Sequence, residues 1–220
     1  MSVIDFARAL VGTLPPGGIG TFNPWRDICA EDASWNGPEE KLGRLAAHLD
    51  CDPQFILCGE APGYQGCRHS GIAFTSERLL LEGAIPRVAR ADRRLTSREL
   101  PYSEPSATIV WKTLYGLGIA ERTILWNALQ MHPYRVGDFR SNRTPTAAEI
   151  SMGEPALRML LDRFPGASVI AVGKKANDLL RDMGVRCGGS VRHPANGGAS
   201  EFADGLARFV RCGQTQVTRA

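Results

Sequence analysis

Three short apolar runs, each closed by a turn signal and separated from the next by helical patterns, constrain the fold of this chain more than any other feature. They are Gln54 to Gly59, Thr123 to Ala128 and Ala167 to Gly173. Apolar runs of this length, bounded by turn residues, read as strands buried on both faces. Helical spacing fills the intervals at Ser106 to Leu117 and Thr146 to Phe164, and again at Lys174 to Met183 after the third run. Further helices are expected at Ser2 to Thr13, Pro38 to Leu49 and Ser200 to Arg211, with Val185 to Val191 as a weaker fourth strand. Strands alternating with helices predict an α/β fold: a three-layer α/β/α sandwich around a central, mostly parallel four-stranded sheet.

With 220 residues the chain is long enough for one sizeable core and short for two, which predicts a single domain over residues 1–220. Hydrophobic residues at 43% and charged residues at 22% exclude a disordered or fibrous chain. No apolar stretch reaches the ~18 residues of a membrane span, and Met1 to Leu14 lacks the basic segment and cleavage site of a signal peptide. A cytoplasmic protein without membrane contact is therefore expected. The cysteines, Cys29, Cys51, Cys58, Cys67, Cys187 and Cys212, include no pair at the spacing of about two to four residues that zinc and iron–sulfur sites favour. They read as small apolar residues, with Cys58 facing a core, and neither a metal nor another cofactor is expected.

The net charge of +3 is too small to indicate nucleic acid by itself. Lysine stands only at Lys41, Lys112, Lys174 and Lys175, so guanidinium groups carry nearly all the positive charge. That suits bidentate phosphate contacts, and it equally suits an arginine-favouring codon bias.

In a parallel sheet, ligands bind beyond the carboxyl ends of the strands. Those ends carry Gly59-Glu60-Ala61-Pro62-Gly63, Asn127 to His132, Gly173-Lys174-Lys175 and His193-Pro194. The first is a glycine-rich turn, but it lacks the Gly-Lys-Ser/Thr ending of a nucleoside triphosphate loop, and Pro62 removes one backbone donor. Glu60 in this turn suits catalysis and structural hydrogen bonding equally. Phe74 precedes a helix expected to start at Glu77 with Thr75 or Ser76 as its cap, and its ring can stack on a planar ligand or fill the core. Asn127 ends an apolar strand with an amide whose donor and acceptor match the N3–H and a carbonyl of a pyrimidine, or that ties two loops together. Pro194 fixes the backbone after His193 and would hold the imidazole in one orientation.

In this order and context, the motifs resemble those of the uracil-DNA glycosylase superfamily. The resemblance rests on a strand-ending Gly-polar-x-Pro-Gly turn, a Gly-x-x-Phe segment (Gly71-Ile72-Ala73-Phe74), a strand-ending Asn and a late His-Pro. It spans Phe55 to Pro194 and includes Gly173-Lys174-Lys175-Ala176. The first motif is most similar to that of the iron–sulfur, thermophile-type branch, whose paired N-terminal cysteines are missing here, so the resemblance implies loss of the cluster. The chain departs further at Ala61, where the family's most efficient branch has Asp to position water. It departs again at Ala195-Asn196-Gly197-Gly198, where the family usually has Ser and an apolar wedge.

The resemblance implies a monofunctional DNA base glycosylase that hydrolyses the N-glycosidic bond of uracil or a related deaminated or damaged base and so initiates base excision repair. DNA is then the partner, and no protein partner is expected. His193 would stabilise the leaving base as an anion and Glu60 would hold the water. Gly59, Ala61, Pro62 and Gly63 would line the base, Phe74 would stack on it, and Asn127 would read its edge. Lys175, Arg192 and Asn196 would contact DNA. Without a wedge, the unstacking cost of a duplex goes uncompensated, so single-stranded DNA is the expected preference. Arg87, Arg90, Arg93, Arg94 and Arg98 either track phosphates or form a solvated face. A non-catalytic nucleic-acid-binding member of the same fold is the alternative that Ala61 keeps open, and a nucleoside or nucleotide hydrolase is a more distant one.

Overall fold

The structure, a computed structural model, describes the backbone of residues 1–217 and the side chains of residues 1–211, so the side chain of Cys212 lies outside the described residues. In chain order the elements are α1 (Val3–Gly12), β1 (Thr21–Phe22), α2 (Pro38–Leu49), β2 (Phe55–Gly59), α3 (Cys67–Ser70), α4 (Glu77–Glu82) and α5 (Pro105–Gly116). A 3-10 turn (Ala120–Arg122) leads into β3 (Thr123–Asn127), β4 (His132–Pro133), α6 (Ala147–Arg163), β5 (Ser168–Val172), α7 (Lys174–Asp182), β6 (Gly189–Val191) and α8 (Ala199–Val217).

The expected sheet is present, all parallel, in the order β3-β2-β5-β6. β2 and β3 pair along their whole length, Phe55 opposite Thr123 and Gly59 opposite Asn127, so the two strands end level. Alternate residues point to opposite faces of a strand. Ile56, Cys58, Ile124, Trp126, Val169 and Ala171 accordingly enter one core, built with α1, α2, α6 and α7. Phe55, Leu57, Leu125, Ile170, Val172 and Val191 enter a second, built with α4, α5 and α8. These are the two interfaces of a three-layer sandwich. Each fully buried Leu or Ile contributes about 1.5–3 kcal/mol.

The helix termini follow local chemistry. Thr146 accepts the Glu149 N–H while Glu149 accepts the Thr146 N–H, a capping box that starts α6, and Pro38 opens α2 in its first turn.

Two expectations need correction. The fourth strand is only Gly189–Val191, because the Val185 N–H is taken by Leu180 O at the end of α7 instead of joining the ladder. Neither Thr75 nor Ser76 caps α4 through its side chain. The Thr75 hydroxyl, buried under α5, donates to Ala73 O and accepts from Trp111 Nε1. The short helix α3 and the antiparallel β1–β4 ribbon were not expected. The Arg87–Arg98 segment divides: Arg90, Arg93 and Arg98 are exposed, whereas Arg87 and Arg94 are half-buried and tie parts of the fold together. Arg87 donates to Glu121 O, His48 O and Thr123 O, Arg90 to Leu81 O, and Arg94 to Glu77 and Glu99 O.

Candidate active site

The parallel strands end at one edge of the sheet, and a cleft of about 680 Å³ opens there. The chain passes from β2 to β3 on one side and later to β5 and β6 on the other, so the strand order reverses beside β2. Such a reversal leaves a crevice in which doubly wound sheets bind ligands. Glu60, Ala61, Pro62, Gly63, Phe74 and Asn127 line the cleft, as do Lys175, Arg192, His193 and Asn196. A depression of similar size, about 690 Å³, lies at the start of β5 around Phe164, Ser168 and Gly188 and contains none of these residues.

Gly59 is the floor on which two of these groups meet. A Cβ built there would lie 2.6 Å from Asn127 Oδ1 and 2.6 Å from Phe74 Cζ, so only glycine leaves room for both. Phe74 reaches this place with φ at +49°, a left-handed conformation costing roughly 1–2 kcal/mol for a residue with a side chain. Asn127 is 4% exposed, yet among the described residues no hydrogen bond engages its side-chain amide. A buried polar group is normally satisfied, so this amide has its hydrogen-bonding capacity directed at the cleft. Ala128 N–H and Leu129 N–H instead tie the loop after β3 to Gly59 O and Glu60 O.

His193 faces the Phe74 ring at a centroid separation of 6.2 Å. Its Nδ1 accepts the Ala195 N–H at 3.1 Å, which leaves Nε2 to carry the proton of the neutral ring. Burial, and secondarily the neighbouring Arg192 guanidinium, hold its pKa below the ordinary histidine value. Gly173, with φ at +93°, lets the imidazole approach: a Cβ there would stand 3.1 Å from His193 Cβ.

The Glu60 carboxylate lies 3.6 Å from Lys175 Nζ, which also donates to Thr144 Oγ1 at 2.6 Å. Burial raises the Glu60 pKa and Lys175 opposes that rise. Asn196 adopts φ at +54° in the turn after His193, and Arg192 is exposed at the rim.

A stacking ring, an unpaired amide and a neutral Nε2–H donor on one strand-end cleft form a pocket for a flat heterocycle. The sequence model of the uracil DNA glycosylase superfamily matches residues 47–212. The chain belongs to this superfamily. Its fold is also that of wild-type Pedobacter heparinus SMUG2, with a TM-score of 0.67 over 98% of this chain and 99% of that one at 12% sequence identity. A family two carbohydrate esterase from Cellvibrio japonicus aligns over 72% of this chain and 62% of its own at 14% identity, with a TM-score of 0.31 that carries no argument. No curated protein sequence matches the chain. Superfamily membership assigns the chain its general chemistry, hydrolytic release of a base from DNA.

For a member of this superfamily the cleft also holds residues that no motif announced: Glu104, Ser106, Asn142 and Arg143. Asn142 Oδ1 accepts the Tyr64 N–H at 2.9 Å and so clamps the 141–143 loop over the glycine-rich turn. The one sequence signal near Glu104 is the Pro105 that opens α5. Away from the cleft, Cys29, Asp32 and His69 bring potential metal-ligand atoms within 4.8 Å of one another. The Lys41 ammonium, fully buried, already holds Asp32 Oδ2 at 2.5 Å and supplies the cation of that cluster.

Proposed function

We propose that the protein is a monofunctional DNA glycosylase that removes uracil or a related deaminated or damaged base, preferentially from single-stranded DNA, as the first step of base excision repair. The observation that carries this reading is the meeting, above Gly59, of the Phe74 ring and the unpaired Asn127 amide, with the His193 ring 6.2 Å from Phe74. The extruded base stacks on Phe74, and Asn127 takes its N3–H and the adjoining carbonyl. As the glycosidic bond lengthens, negative charge gathers on the other carbonyl, and the Nε2–H of His193 stabilises it as a preorganised oxyanion donor. The N–H groups of Ala61 and Gly63, which meet no acceptor among the described residues, add further donors along the same wall.

Glu60 holds the attacking water. Its pairing with Lys175 tempers it as a base, and an oxocarbenium-like transition state asks for little nucleophilic push. Lys175, Arg192 and Asn196 line the mouth of the cleft, where phosphates of a bound strand would pass. The Ala195–Gly198 turn offers no large apolar side chain to fill a duplex, which favours a single strand.

The deciding experiment compares release of uracil from a single-stranded oligonucleotide, a duplex and free deoxyuridine. Release from the single strand above the duplex, with none from the nucleoside, is the expected result. Oligonucleotide binding without release identifies a non-catalytic member of the fold, and release from deoxyuridine alone identifies a nucleoside hydrolase.

A further inference from the structure

Between β4 and α6 the chain makes a turn, residues 135–140, in which every residue is exposed. The turn is nevertheless built. The Ser141 hydroxyl accepts the Arg135 N–H at 2.9 Å and donates to Asp138 O, and the Asp138 N–H returns to Arg135 O at 2.8 Å. Phe139, 39% exposed, is the one exposed phenylalanine among the described residues. Beneath its ring, 5.3 Å from the centroid, lies the Arg68 guanidinium, which also stacks on Phe22 at 4.0 Å. Arg68 is buried and donates to His132 Nδ1 at 2.9 Å, but its Nε has no partner and, among the described residues, it forms no ion pair. A buried cation without a countercharge leaves a positive field at the surface above it. Arg98 and Arg135 are exposed there and are likewise without an ion pair among the described residues, while Asp138 is the single carboxylate of the turn. Arg98 lies 4.1 Å over the Tyr102 ring, and the Tyr102 hydroxyl donates to Glu31, which Arg140 also holds. Arg140 stands 5.6 Å from the Phe139 ring, so Arg98, Arg140 and Phe139 share one surface.

That surface runs into the cleft. His132, which engages Arg68 through Nδ1, brings its Nε2 within 3.2 Å of Asn142 Oδ1, and Asn142 lines the cleft and holds the Tyr64 N–H. The chain from Phe139 to Asn142 spans at most about 11 Å. On the other side, Tyr64 of the glycine-rich turn meets Tyr102 edge-on at 6.0 Å, directly under Arg98. A strand that delivers a base to the pocket above Gly59 therefore finds an exposed ring among unpaired guanidinium groups beside it. Single strands are bound by this combination, bases stacking on the ring while the backbone follows the charge. We propose that the 135–140 turn, together with Arg98, is a track for the DNA strand on one side of the extruded nucleotide. Phe139 stacks a flanking base, and Arg98 and Arg135 take phosphates. The inference rests on the glycosylase reading for the base that enters the cleft, and it adds a one-sided grip on the strand outside the pocket.

The test is an abasic walk. Dissociation constants are measured for single-stranded oligonucleotides carrying 2′-fluoro-2′-deoxyuridine, whose electron-withdrawing fluorine opposes an oxocarbenium-like transition state and so slows cleavage. One neighbouring base is removed at a time on either side of the analogue. Wild type is expected to lose about tenfold in affinity when a particular base on one side is missing, the worth of one base–aromatic stack, and much less at the other positions. Phe139→Ala weakens the intact oligonucleotide by about tenfold and flattens the walk at that position, whereas a merely structural loss would weaken every member of the walk alike. Arg98→Gln and Arg135→Gln each lower the salt slope of binding by about 0.7, the share of one phosphate contact on a single strand. A Phe139→Ala protein that keeps the wild-type walk, or salt slopes unmoved in both arginine variants, overturns the track. Uracil release from the unfluorinated oligonucleotide is measured beside these. A wild type that releases no uracil yet shows the Phe139-dependent position overturns the glycosylase reading and leaves the track standing.

Discussion

The Nδ1 atom of His193 accepts the N–H of Ala195, two residues further on, at 3.1 Å. An accepting nitrogen carries no proton, so a neutral ring in this place has its proton on Nε2 and can donate it to a developing anion. The neutral ring predominates above its pKa, and burial and Arg192 hold that pKa below the usual 6.5. Single-turnover excision is therefore expected to stay level from neutral pH down to about 6.5 and to fall only in more acid solution. Glu60, with its raised pKa, titrates in the same acid limb, and a profile of Glu60→Gln separates the two groups. His193→Ala should lower the rate by about a hundred- to a thousandfold. A rate that climbs on acidification would make the imidazolium the active form.

Replacing Glu60 should cost less than replacing His193. If departure of the base limits the rate, stabilising the anion matters more than placing the water, and Lys175 already shares the carboxylate. Glu60→Ala is expected to reduce single-turnover excision by about tenfold to a hundredfold. A Glu60 variant that is inactive beside a nearly normal His193 variant would exchange their roles.

The floor of the pocket offers a steric test. Gly59→Ala places a methyl group where Phe74 Cζ and Asn127 Oδ1 each come within 2.6 Å, so ring and amide must both retreat. Base excision should fall by about a hundredfold or more, while DNA affinity, set mainly by phosphate contacts, changes little. Asn127→Asp keeps the volume, removes the amide donor and adds charge, and should depress uracil excision strongly while shifting preference toward cytosine. Gel-shift and excision assays on the same oligonucleotide read both effects.

The sheet and the four strand-end motifs were legible in the sequence because they obey local rules. Phe55 to Gly59 and Thr123 to Asn127 are mostly apolar and buried throughout, the mark of strands covered on both faces, and they end at the residues that line the cleft. Glu104 and Asn142 were not legible, because each reaches the cleft through contacts with Gly66 or Tyr64, which are distant in sequence. The cap at Thr75 failed for a related reason: the long-range bond from Trp111 Nε1 outweighs the local preference of a threonine before a helix. The two-residue strands β1 and β4 carry too few residues for any periodicity to show.

Arg87 and Arg94 should matter for stability and hardly at all for DNA. Arg94 Nε donates at 2.7 Å to Glu77, a fully buried carboxylate that also accepts Leu95, Thr96 and Tyr102 N–H groups. Arg94→Gln removes the countercharge from that carboxylate and is expected to destabilise the fold by about 1–3 kcal/mol. The salt dependence of DNA binding should match wild type for Arg94→Gln and for Arg87→Gln. A slope lower by about one unit in either variant would show a phosphate contact instead.

The last prediction concerns His48, which is fully buried in α2 and accepts the Leu125 N–H of β3 on Nε2 at 2.9 Å. Burial, reinforced by the nearby Arg87 guanidinium, pushes its pKa down to about 3. In the unfolded chain the ring titrates at the ordinary value near 6.5. Between these two pH values the unfolded chain binds a proton that the folded chain refuses, so acid favours unfolding. The stability owed to the neutral ring is complete above about pH 6.5 and is lost progressively as the pH falls toward 3, at about 1.4 kcal/mol per pH unit. His132, held at about 4 by burial and Arg68, acts in the same direction, while the raised carboxyls of Glu60 and Glu104 act against it. Those contributions cancel when wild type is compared with His48→Gln, whose side-chain oxygen can still accept the Leu125 N–H. Urea unfolding at pH 7 and pH 5 should show wild type losing about 2 kcal/mol more than the variant over that interval. Equal losses in the two proteins would mean that the buried ring already carries a proton in the folded state at pH 5.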